Sequence, residues 1–242
     1  MKINLRNWLD LITESPKRGI KKGSAMRQVP ADKYNVAWFK LAEFVARGEK
    51  ERALGIYRLL VHSFNDRAFS YQLEGDLLWS FTDEQAIDRY ITAAQLYKKE
   101  GRLAEAIGVY ELLASIKPHN ELFISTLFQL YQETANTQRL LATAEVLCEI
   151  LLERNDLSAA QELIERCRTF VSDQSCLALY ESYALSLVKN KHAAKIEVHK
   201  ALEKVLVSAL EETQSQQLHK FLTNLEGISS DYYQHACSLL KK

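Results

Sequence analysis

The stretch that decides the fold is YITAAQLYKKEGRLAEAIGVYELLASIKP, residues 90–118. Tyr90, Ala93, Ala94 and Tyr97 fall at i, i+3, i+4 and i+7, which is one face of a helix. Gly101 follows as a left-handed helix stop. Ala106, Tyr110 and Leu113 repeat the spacing on a second helix, and Pro118, which cannot continue it, closes the unit. The pattern predicts two antiparallel helices in close contact, with aromatic rings set against alanines.

The same wording occurs earlier in the chain. Residues 48–60 read GEKERALGIYRLL and residues 101–113 read GRLAEAIGVYELL, sharing Gly, Ala, Gly, Tyr, Leu and Leu in register. Internal repeats of this kind are the mark of helical solenoids. Gly55 and Gly108 each cost up to about 1 kcal/mol relative to alanine inside a helix, and close helix contact is expected to offset that. A fainter third copy runs through Leu147, Cys148 and Leu151, then Asn155 at the turn, then Ala160 and Ile164. The copies stand 53 or 54 residues apart, leaving room for one more helix in each interval, at 66–81, 119–135 and 173–190. A fourth round is predicted near 193–212, 214–225 and 228–241. Ala53 and Ala86, 33 residues apart, also permit a two-helix frame, so both periods stay open.

These residues resemble the tetratricopeptide repeat, a helix–turn–helix unit of about 34 residues. The signature places at 90–118 are Tyr90, Ala94, Tyr97, Gly101, Ala106, Tyr110 and Pro118; Leu113 departs, because the family usually has alanine there. Ala53 and Tyr57 suit the second helix of the first copy, and Trp38, Leu41 and Ala42 its first helix, one residue out of step. The resemblance implies an all-α fold, a right-handed α-solenoid of antiparallel helix pairs with about a dozen helices. Such a stack has a concave face. Asp88, Ile91, Gln95, Lys98 and Lys99 would line it in one copy, and Glu145, Glu149 and Leu152 in another. Some family members clamp acidic C-terminal tails with lysines and asparagines. Ile91 and Glu145 stand at or beside clamp places here, so no such clamp is expected.

The organisation expected from sequence is an amphipathic helix at 1–12, a basic arm at 13–34, a repeat domain at 35–212 and capping helices at 213–242. Leu5, Trp8, Leu9 and Ile12 make one helical stripe that could cap the first helix or be exchanged in a homodimer. Lys17, Arg18, Lys21, Lys22 and Arg27 crowd the arm, which is read as a solvated loop. The composition supports this layout, since only three prolines and eight glycines offer few turns for an all-β protein. Zero formal charge gives no general pull toward nucleic acid or an anionic surface. No run approaches the roughly 18 apolar residues of a membrane span. Cys148, Cys167, Cys176 and Cys237 form no CxxC pair and read as buried, reduced thiols in a cytoplasmic protein.

Catalytic patterns are not found. Six histidines make no metal spacing, although His192 and His199 lie seven apart on an expected helix face. Glu145, Glu149 and Glu153 form a charged helix face rather than a catalytic pair. The expectation is therefore a non-enzymatic scaffold or adaptor without cofactor or metal, binding a peptide or helix of another protein. The alternatives are a bacterial secretion or assembly chaperone holding one client, and a self-assembling structural repeat protein.

Overall fold

The computed structural model describes residues 31–190, 192–210 and 215–240. The expected 1–12 helix and most of the basic arm lie outside those residues. Among the described residues the regular structure is helical throughout, with no strand. In order the helices are α1 (Ala31–Ala46), α2 (Lys50–Val61), α3 (Arg67–Ser80), α4 (Gln85–Lys99), α5 (Leu103–Ile116) and α6 (Glu121–Glu133). They continue with α7 (Thr137–Glu153), α8 (Leu157–Arg168), a short 3-10 turn (Gln174–Cys176), α9 (Leu177–Lys189), α10 (Lys195–Leu210), α11 (Ser215–Ile228) and α12 (Ser230–Leu240). Helix α1 thus opens inside the segment assigned to the arm. The chain divides into two compact units, Met1–Leu113 and Ala114–Lys242, so the boundary falls inside the stretch expected to be one repeat domain.

One turn chemistry is used five times among the described residues. Gly48, Thr82, Gly101, Ala135 and Asn155 all take a positive φ, between 52° and 74°. At each, two backbone amides fold back on the helix just ended, as in Gly101 N–H to Lys98 O at 3.1 Å and Arg102 N–H to Tyr97 O at 2.9 Å. This closes the orphan carbonyls of the helix end and sends the next helix back at once. Asp66, Asn120, Asn136 and Asp156 then cap α3, α6, α7 and α8 by accepting from Phe69, Phe123, Arg139 and Ala159 N–H.

These devices recur with a period. Asp66, Thr82 and Gly101 punctuate α3–α5, and Asn120, Ala135 and Asn155 punctuate α6–α8 at 54, 53 and 54 residues further on. Turn chemistry therefore repeats every three helices. Packing inside the second unit has a shorter step: α7 touches α8 and α9, α9 touches α10 and α11, and α10 touches α12. Neighbouring helices meet, and α7, α9 and α10 also meet the next helix but one, which is consistent with a helical stack. The left-handed region costs a non-glycine residue about 1–2 kcal/mol. Thr82→Gly and Ala135→Gly are accordingly expected to raise stability by roughly 1 kcal/mol each, read from urea unfolding.

In the first unit Leu41, Ala53, Tyr57, Leu60, Leu73 and Leu77 form a core joining α1, α2 and α3. Trp38 stacks on Phe64 at 5.9 Å between ring centroids, and Phe69 meets Phe64 edge-on at 5.7 Å. Helices α3 and α4 make the most extensive pair. Gly75 of α3 permits it, because a Cβ there would stand 2.7 Å from Cδ1 of the fully buried Tyr90. Three tyrosine hydroxyls converge on α3: Tyr57 donates to Ser70 O at 2.8 Å, Tyr90 to Asp76 Oδ1 at 2.8 Å and Tyr97 to Gln72 Oε1 at 2.9 Å.

The hydroxyls of Tyr90 and Tyr97 reach back to α3. One expectation is corrected here. The close approach belongs to Gly75, whereas a Cβ at Gly55 or Gly108 would meet nothing within 4 Å. The helix-weakening effect of those two glycines has no packing offset, so Gly108→Ala should stabilise by up to about 1 kcal/mol. Thermal melting of the single variant checks this.

The second unit is tied by Asp173. It accepts from Arg168 Nε at 2.6 Å, from Tyr180 Oη at 2.9 Å and from Lys204 Nζ, joining α8, α9 and α10. The Lys204 hydrogen bond, aided by those from Arg168 and Tyr180, holds its carboxyl down at about 2. A folded value below the unfolded one adds stability above about pH 4, lost as pH falls toward 2. Asp173→Asn should remove that acid-side slope, measured by urea titration across pH. Cys148, Cys167 and Cys176 are buried, and burial pushes their thiols up to about 11, 12 and 11, so they stay protonated.

Candidate interaction surface

Helix α4 offers a face held in place from behind. Ala86, Tyr90, Ala93, Ala94 and Tyr97 are fully or almost fully buried, fixing the helix axis and its rotation. The opposite side carries Asp88, Gln95 and Lys99 in solvent, with Ile91 and Lys98 half-buried at one margin. Asp88 lies in the first turn, and Lys98 and Lys99 in the last, each placed favourably against the helix dipole. The five residues expected from sequence at this place do share one helix surface.

Glu145 and Glu149 are exposed one turn apart on α7, in the second unit. The remaining signature residues are structural: Ala53, Ala106 and Ala160 are fully buried, Tyr57 and Tyr110 nearly so, Gly101 has φ 74°, and Pro118 follows the end of α5. His192 precedes α10 and does not share a helix face with His199; the expectation fails because that helix begins only at Lys195. His199 instead stacks on His235 of α12, 4.0 Å between ring centroids.

Sequence reasoning missed two polar groups on α3. Asp76 is hydrogen-bonded to Tyr90, and burial pushes its carboxyl up to about 6 against the lowering effect of that bond. The signal was an acid beside a glycine within the run LEGDLLW. The other group is Arg67, Tyr71 and Glu74, spaced i, i+4 and i+7, which faces Arg89 of α4. Nearby, Arg102 lies 4.3 Å above the Tyr97 ring and pairs with Asp66, Glu100 and Glu105, bracing the α4–α5 turn.

Among the described residues no three His, Cys, Asp or Glu side chains gather as a metal ion requires. No helix there is long and apolar enough to cross a membrane. No protein-family model matches the sequence, and no curated protein matches it either.

Proposed function

We propose that this chain is a non-enzymatic scaffold or adaptor, its helix pairs stacked in the manner of tetratricopeptide repeats, that binds a peptide or helix of another protein. The observation that carries the reading is the α4 row. A buried stripe of rings and alanines immobilises the helix, and Asp88, Gln95 and Lys99 stand in solvent beside the half-buried Ile91 and Lys98. A preordered helix face with mixed charge and an apolar margin loses little entropy on docking a segment. Affinity capture with the full chain, read by mass spectrometry, tests it. Lys98→Glu with Lys99→Glu should deplete the captured partner while circular dichroism stays unchanged; equal capture by both forms would place binding elsewhere.

Self-assembly is the second reading, and one observation favours it. Phe39 on α1 and Leu59 on α2 are 71% and 72% exposed, high for large apolar side chains. If the chain associates through them, Phe39→Ser will shift its elution on a sizing column toward smaller species.

A further inference from the structure

The seam between α3 and α4 holds a basic, aromatic cluster distinct from the α4 row. Arg67 and Arg89 bring their guanidinium carbons to 5.8 and 6.0 Å from the Tyr71 ring centroid. Arg67 is exposed, and the Arg89 side chain keeps 40% of its surface in solvent. Nε of Arg89 lies 3.1 Å from Glu74 Oε1, within ion-pair range but off the hydrogen-bond line. It is shielded from water and has no hydrogen-bond partner. Two guanidinium groups thus share one ring, with the Glu74 carboxylate in ion-pair range of one of them.

We propose that this seam receives the carboxylate side chains of an acidic peptide segment. The inference rests on the scaffold reading and names the chemistry of the partner. A guanidinium presents a planar fork that matches a carboxylate through two parallel hydrogen bonds. Stacking near the Tyr71 ring holds both forks in place before the ligand arrives, so less freedom is lost on binding. The ring supplies apolar contact for the aliphatic stems of glutamate. Binding draws on side-chain carboxylates and needs no chain end.

The probe is a fluorescein-labelled decaglutamate with an amidated C-terminus, titrated with the full chain at low ionic strength by fluorescence anisotropy. Saturable binding is expected, weakened about tenfold or more by Arg67→Gln or Arg89→Gln, and only partly restored by Arg67→Lys. Lys220→Gln, which removes an equal charge in the second unit, should change it by less than about twofold. Arg67 is exposed, so its variant tests the site even if Arg89→Gln loses helicity. Absence of saturable binding, binding matched by decaglutamine, or equal losses from Arg67→Gln and Lys220→Gln would overturn the proposal. Should that happen while reversal at Lys98 and Lys99 still releases a captured partner, the scaffold reading stands and only this site falls.

Discussion

Replacing Gly75 with valine should lower the stability of the first unit by about 3 kcal/mol, the upper part of the range for forcing extra carbons into a packed core. The reason is geometric. A Cβ at this position would lie 2.7, 2.8 and 3.2 Å from Cδ1, Cε1 and Cγ of Tyr90. The ring has no exposed surface into which it could move, and its hydroxyl is anchored on Asp76. Alanine should be milder, since better helix propensity returns up to about 1 kcal/mol. Gly108→Val is the control, because it adds the same side chain where nothing lies within 4 Å. Urea unfolding followed by circular dichroism separates the cases: a large loss at 75 and almost none at 108. Similar small effects at both would mean that α3 and α4 do not approach as closely as described.

Asp76→Asn should stabilise the first unit at pH 8 by about 2–3 kcal/mol and change little at pH 4. Burial raises the carboxyl from the usual carboxylate range to about 6. The folded state therefore holds its proton where the unfolded chain has released it. Wild-type stability must fall as pH rises from about 4 to about 6 and level off above, at 1.36 kcal/mol per unit of pKa difference. Asparagine keeps an oxygen for the Tyr90 hydroxyl and carries no charge to desolvate. This slope runs opposite to that of Asp173, whose contribution disappears on the acid side. Unfolding midpoints measured from pH 3 to 8 for wild type and both variants should show the two slopes removed separately. A flat Asp76 difference across pH would contradict its burial as a charged group.

The helical architecture was legible because it rests on short-range chemistry. Tyr90, Ala94, Tyr97, Ala106 and Tyr110 announce their buried faces by spacing alone, and Gly101 announces its turn. Thr82 and Ala135 were not legible. They adopt the same left-handed turn as Gly48 and Gly101 with side chains that disfavour it, so the local sequence conceals the device. That concealment is why the three-helix recurrence of turns could not be separated from a two-helix frame beforehand. The role of Gly75 was also hidden, because its partner Tyr90 is 15 residues away and only the pairing of α3 with α4 brings them together. For the surface, the α4 row follows from helix periodicity. Arg67 and Arg89 meet over Tyr71 only through tertiary packing, which no spacing rule within one helix reveals.

The most direct test of the central claim, that a protein segment docks on the solvent face of α4, is site-specific photocrosslinking. A benzophenone amino acid placed at Gln95, exposed in the middle of that face, should trap a partner protein. The same group at Thr223, exposed on α11, should trap none or markedly less. Strong trapping at Thr223 with nothing at Gln95 would contradict the account.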